Sequence, residues 1–270
     1  MEWVESMGWF AGMGEIPWTT YAVILVAGIV TGVINTLAGS GSLITLPIFV
    51  LLCGLPATVA NGTNRVGVII QSLVGVGAYR KSGKLQLQHV EWLAIPAIVG
   101  AIIGAQIAVK MNEQMMNIAI GGLMIFMLGV LLVNPERWIK VAEVDTTKHK
   151  SAGSVIVFFL IGMYGGFIQA GVGIFLLAGL VLSARYALSA ANGIKMLLVL
   201  LFNLPAFISF FLAGQVHLGF GLLMAGAQAI GAVIGVRFIA RIPNANLWIH
   251  RLLIVIVLAS AIKFISMAFL

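Results

Sequence analysis

At 270 residues, with 61% hydrophobic and 9% charged residues and a mean hydropathy of +1.12, this chain cannot build a water-facing surface, because a soluble domain carries roughly a quarter charged residues. The net charge of +7 reads as basic loops that orient a membrane protein, not as a nucleic-acid footprint. Thirty-two glycines in apolar surroundings favour closely packed helices over a lumen-lining barrel, whose strands alternate polar and apolar.

Taken in chain order, residues 1–19 carry Glu2, Glu5 and Glu15 beside Trp3, Trp9, Phe10 and Trp18. With no basic residue ahead of the first apolar run, they read as an interfacial segment at the headgroups and not as a cleavable signal. A helix needs about 20 apolar residues to cross the hydrocarbon. The stretch 20–55 is too long for one straight crossing and is interrupted at Gly39-Ser40-Gly41; single crossings follow at 62–79, 92–109 and 116–133. Residues 134–150 hold soluble charge of both signs and read as a loop between halves. The stretch 154–183 is again overlong, interrupted at Gly171-Val172-Gly173, and crossings follow at 194–212, 220–240 and 247–270. The expected organisation is an interfacial segment (1–19), a membrane repeat (20–134), a cytoplasmic linker (135–150) and a second membrane repeat (151–270).

The halves repeat each other. Ala60-Asn61-Gly62 returns as Ala191-Asn192-Gly193, Gly83 as Gly214, and Gly100-Ala101-Ile102-Ile103-Gly104 as Gly231-Ala232-Val233-Ile234-Gly235, always 131 residues on. The two glycine interruptions match one residue out of step. Basic residues then settle the parity. Clusters lie at Arg80/Lys81/Lys84, at Arg137/Lys140/Lys148/Lys150 and at Arg237/Arg241/Arg251. If each broken stretch crosses once, the first and third clusters fall on opposite sides of the membrane. If each enters and returns, all of them share the cytoplasmic side with Arg185 and Lys195, as the positive-inside rule requires. Odd parity also turns the second half upside down. The fold class expected is an all-α polytopic membrane protein of two inverted-topology repeats, each a glycine-broken helix or hairpin followed by three transmembrane helices.

A break deep in the membrane is tolerated only against protein or a water-filled cavity, and broken helices in matching positions mark transporter sites. The helix leaving each break starts near Ser42 and near Ile174. Its unpaired N–H groups and positive dipole end favour an anion. Gly39, Ser40, Gly41, Ser42, Gly171 and Gly173 are therefore candidate substrate-binding residues, with close helix packing as the alternative. For Gly28/Gly32, Gly100/Gly104, Gly162/Gly166 and Gly231/Gly235, packing is the preferred reading. Asn61, Thr63, Asn64 and Arg65, with Asn192 and Lys195 in the second half, place amides and a cation near each break. A guanidinium fits the forked contacts an oxyanion accepts; snorkelling of Arg65 to outer headgroups is the competing reading, and cytoplasmic orientation alone accounts for Lys195. Asn35, Gln71, Gln106, Gln169, Asn203 and Gln228 are amides in apolar segments, with Asn35 and Gln169 placed in corresponding positions ahead of the breaks. They line a polar pathway or bond between helices. No acid falls inside a crossing, since Glu91 and Glu113 lie at loop edges, so no carboxylate relay is indicated. Cys53 is alone, which excludes an intrachain disulfide. The four histidines show no metal-ligand spacing, and no metal or other cofactor is expected.

These features resemble a known family. The glycine-rich break, Pro47, the Gly54-Leu55-Pro56 turn, Ala60-Asn61-Gly62-Thr63-Asn64 and the Arg80-Lys81-Ser82-Gly83-Lys84 loop are similar to the TauE/SafE sulfite exporter family, over roughly residues 21–264. Family members often carry three consecutive glycines where this chain has Gly39-Ser40-Gly41-Ser42, which adds a hydroxyl. The resemblance implies transport of sulfite, sulfonates or related small anions, often as export. The expectation is a secondary transporter of a small organosulfur anion, multi-pass in a bacterial inner membrane with both termini periplasmic, working by alternating access between the repeats. An anion channel and a non-transporting membrane scaffold are the alternatives. An enzyme is not expected, because the crossings hold no cluster of acid, base and nucleophile. The partners expected are the anion and the lipid bilayer, with no nucleic acid; a homodimer is left open.

Overall fold

The computed structural model describes residues 12–37, 39–83, 85, 87, 90–133, 152–237 and 245–269, and the longer elements among them are all helical. Residues 1–11 of the interfacial segment, the linker 135–150 with its basic cluster, Lys84 and Arg241 lie outside the described residues. The first half contributes α1 (Trp18–Leu37), α2 (Ser42–Pro47), α3 (Ala57–Lys81), α4 (Val90–Val109) and α5 (Glu113–Val133). The second contributes α6 (Ala152–Phe167), α7 (Val172–Ala178), α8 (Leu188–Leu212), α9 (Leu218–Arg237) and α10 (Ala245–Phe269). α2 and α7 each widen into a π-helical turn, Ile48–Leu52 and Gly179–Ser183, and each is followed by a residue at positive φ, Gly54 and Arg185.

The crossings expected at 62–79, 92–109, 116–133 and 194–212 each fall inside one helix, and the described parts of 220–240 and 247–270 do so too. Among the described residues, α1, α4, α5, α9 and residues 190–212 of α8 are long and apolar enough to span a bilayer. α3 is more polar because Asn61, Thr63, Asn64, Arg65 and Gln71 lie within it, all buried. Its start is capped from α5: the Glu113 carboxylate accepts the Ala57 and Thr58 N–H groups at 2.5 and 3.3 Å, placing a negative group at the positive end of the helix.

Both broken stretches turn back on themselves. In the second, Val172 faces Gly165 and Gly179 packs on Phe158 and Ile161. Ser183 O then accepts the Ser154 hydroxyl at 3.2 Å, so α7 retraces α6. In the first, Gly41 returns beside Thr31 O and Asn35. The breaks are not superimposable, however. Asn35 lies inside α1, whereas Gln169 lies beyond the end of α6. The positive-φ glycine is the second residue of the connection at Gly39 and the last at Gly171. Asn35 and Gln169 are thus not counterparts, because the Gly-x-Gly match is out of step with the turns themselves.

The two third helices, α3 and α8, run antiparallel. Gly62, early in α3, lies against Gln215 just past α8, while Gly75, late in α3, lies against Met196 early in α8. Packing is also exchanged between halves: α4 lies along α6 and α9 along α1, α4 meets α8 and α9 meets α3, and α5 pairs with α10. The glycine spacings serve these contacts. A Cβ on Gly100 or Gly104 would overlap the α6 backbone, and one on Gly32 or Gly231 would overlap the opposing helix in the α1–α9 pair. Lipid is as apolar as these side chains, so association relies on close backbone approach and dispersion instead of water exclusion. One end of the bundle gathers the Glu113 cap and the His217 turn. Arg80, Lys81, Arg185 and Arg237 belong to the opposite ends of their helices and connections.

Candidate functional site at the crossing of the two breaks

The breaks touch. The Gly173 N–H donates to Gly39 O at 3.1 Å, and a Cβ on either residue would overlap the backbone of the other. Gly39 also sits at φ 77°, a region that residues with a Cβ rarely adopt. Beside this contact is a cavity of about 20 Å³, room for roughly one water. Its polar wall is Asn35, Ser42, Gln71, Ser72, Gln169 and Lys195; Val68, Val172, Met196 and Val199 form the apolar wall. Asn35 accepts the Gly41 N–H at 2.6 Å through Oδ1 and donates through Nδ2 to Gln71 Oε1 at 3.0 Å. Gln71 in turn donates to Gly32 O at 3.3 Å. Ser72 Oγ and Gln169 Oε1 are buried without a partner, and such groups are costly unless something polar meets them.

Two buried cations frame the crossing. Lys195, 1% exposed, donates to Thr36 O at 3.1 Å, Leu37 O at 3.4 Å and Asn192 Oδ1 at 3.3 Å. Arg65 is fully buried and donates to Gly165 O at 3.2 Å, Gly166 O at 2.5 Å and Asn203 Oδ1 at 3.0 Å. Its guanidinium carbon stands 4.5 Å from the Phe210 ring centroid, and its buried Nε has no acceptor. Asn61 donates to Phe167 O at 2.8 Å. The last carbonyls of a helix are unpaired and carry the negative end of its dipole. Each third helix therefore sends a cation from one half to the broken helix of the other: Lys195 to α1, Arg65 to α6.

This overturns two sequence-based readings. Arg65 is buried and does not snorkel outward, and Lys195 is buried and needs more than orientation to account for it; the orphan carbonyls of the opposite half hold both inside the bundle. A third expectation is also corrected. Several of the N–H groups at the starts of α2 and α7 are already bonded and not left open for an anion. Asn35 takes that of Gly41, Gly39 O takes that of Gly173, and Ser40 O and Gly41 O take those of Leu43 and Ile44.

Of the expected site residues, Gly39, Ser42, Gly173 and Lys195 line the cavity. Behind them, Asn64 donates to Ser42 Oγ at 3.1 Å and accepts the Thr45 hydroxyl at 2.5 Å. Ser40 is buried with its Oγ unpartnered, Gly171 packs on Met127, and Asn192 supports Lys195. Asn61, Thr63 and Arg65 gather elsewhere, at the end of α6 and the His217 turn, where Thr63 Oγ1 accepts the His217 N–H at 2.9 Å. Gln71 and Gln169 were detectable as amides in apolar segments; nothing in the sequence marks Ser72. Among the described residues, Lys195 is the one ionisable group lining the cavity.

A family model described as "Sulfite exporter TauE/SafE" matches residues 24–264. A "Probable membrane transporter protein ORF9" from Sinorhizobium sp is 28% identical over 262 residues, covering 94% of this chain and 95% of the relative. A "Probable membrane transporter protein" from Haemophilus influenzae is 23% identical, covering 81% of this chain and 84% of the relative. One of the same name from Xylella fastidiosa is 23% identical, covering 87% and 90%. No solved structure gives a match.

Proposed function

This chain belongs to the TauE/SafE sulfite exporter family and is a multi-pass membrane transporter, and from that premise we propose that it carries sulfite or a related small organosulfur anion outward by alternating access. The observation that carries this reading is the cavity at the crossing of the breaks, with Lys195 as its one lining charge. An anion taken out of water needs a counter-charge and hydrogen-bond donors. Lys195 supplies the first; Ser72, Ser42 and the amides of Asn35 and Gln169 are the second. The Val68, Val172, Met196 and Val199 wall keeps the site dry, which strengthens the charge pairing. Arg65, Asn61 and Thr63 hold the surrounding helices and do not bind the anion directly.

Alternating access is supported by the size of the cavity. Its volume is about that of one water, so admitting an anion of several heavy atoms requires the Gly39–Gly173 contact to part. Units 20–134 and 151–270 act as inverted repeats in this reading, supported by the antiparallel α3–α8 pair and the reciprocal α4–α6 and α1–α9 contacts. The positive-inside rule then puts Arg80, Lys81, Arg185, Arg237 and the linker 135–150 in the cytoplasm of a bacterial cell, and both termini in the periplasm.

Counterflow of labelled sulfite into proteoliposomes tests this. Wild-type protein and the exposed Lys263→Met variant accumulate label with saturable kinetics, whereas Lys195→Met loses at least about tenfold in kcat/KM, the effect of one lost charge-assisted contact. Undiminished counterflow in Lys195→Met would sink the site. Conductance without counterflow would favour a channel.

A further inference from the structure

Arg65 and Lys195 come from equivalent helices and do equivalent capping, yet their surroundings differ. Arg65 is wedged among Gly165 O, Gly166 O, Asn203 and the Phe210 ring, and it lines no part of the cavity. Lys195 caps α1 while also forming part of the cavity wall, with the unpartnered Ser72 Oγ and Gln169 Oε1. A guanidinium is a rigid fork committed to several fixed acceptors; an ammonium is a point charge on a flexible stem that can exchange them.

Resting on the reading that an anion enters this cavity, we propose that Lys195 is a latch on the first break that the anion releases, while Arg65 is a positioning residue that keeps the second break shut. An oxyanion in the cavity competes with Thr36 O and Leu37 O for the same ammonium protons. Both kinds of bond are charge-assisted by the ammonium, but the oxyanion adds a full counter-charge that a neutral carbonyl lacks, worth most away from water, and the carbonyls lose. Thr36 O and Leu37 O then lose their side-chain cap, the end of α1 is held by the Gly39 N–H on Ile34 O, and Gly39, joined to the other break through the Gly173 N–H, is free to withdraw. On the other side Gly165, Gly166 and Phe167 keep Arg65 and Asn61, out of the anion's reach. The occupied carrier thus opens at α1–α2, not symmetrically at both hairpins.

Residue-resolved amide exchange on the full-length protein in nanodiscs tests this, with sulfite and methanesulfonate as probes and thermal shift as a separate measure of binding. In wild type, anion speeds exchange at Thr36, Leu37 and Gly39 about tenfold, the effect of losing one or two cap bonds, and leaves Gly166, Phe167 and Gly171 within about twofold. Lys195→Met exchanges fast at the first break with or without anion. Arg65→Lys, chosen because it keeps a charge, speeds exchange at the second break and keeps the anion response at the first. A thermal shift without faster exchange at the first break, or with equal responses at both, overturns the latch and leaves the anion site standing. Absence of any anion-dependent thermal shift removes the anion site and the latch together.

Discussion

A buried arginine with no carboxylate partner among the described residues needs another source of negative potential, and Arg65 finds it in the end of a helix from the opposite half. Gly165 O, Gly166 O and Asn203 Oδ1 all accept from its guanidinium. Truncation leaves those acceptors buried and unpaired, at about 1–3 kcal/mol each. Arg65→Met should therefore lose several kcal/mol, visible as a lowered melting temperature and poor monodispersity in detergent. Arg65→Lys should recover only part of this, because an ammonium cannot reproduce the fork. A melting temperature for Arg65→Met equal to that of wild type would show that the capping contributes nothing.

Between elements, backbone proximity governs the packing. Gly166 meets Ala101, and Gly100 and Gly104 meet Phe159 and Met163, so α4 and α6 lie in backbone contact, as α1 and α9 do at Gly32 and Gly231. Gly166→Val should force α4 from α6 and cost about 3 kcal/mol or more, at the severe end of overpacking. Gly122 on α5 has open space around its Cβ position, and Gly122→Ala should be neutral or stabilising by up to about 1 kcal/mol through helix propensity. Thermal unfolding of both variants checks the contrast; equal behaviour would mean that the α4–α6 contact does not need glycine.

For the whole molecule, the relative direction of the halves decides where equivalent loops emerge. Ser82 follows α3 and Ala213 follows α8, 131 residues on, and both are exposed. With α3 and α8 antiparallel, these two equivalent positions lie at opposite ends of the bundle. In a Cys53→Ala background, Ser82→Cys should react with a membrane-impermeant thiol reagent only from the cytoplasmic side, and Ala213→Cys only from the periplasmic side. Labelling of both from one side would mean parallel repeats.

Much of the architecture is legible along the chain, because helix length and apolar run are local properties. The crossings expected at 92–109 and 116–133 coincide with α4 and α5 to within a few residues, and the glycine breaks are where the chain turns back. The site was only half legible. Gly39, Ser42, Gly173 and Lys195 reach the cavity, but several of the expected anion-binding N–H groups are already bonded, and Arg65 lies outside the cavity lining, on Gly165 O, Gly166 O and Asn203. These outcomes depend on partners remote in sequence: Arg65 meets a carbonyl 100 positions away and Lys195 one 159 positions away. By itself the sequence determined a duplicated, all-helical membrane protein with two breaks, since hydrophobic run length, glycine spacing and charge placement are written locally. Only the tertiary structure decided what each buried charge touches. Orphan carbonyls at a helix end exert their pull on whichever cation the fold brings beside them, and that proximity is a property of the packed whole.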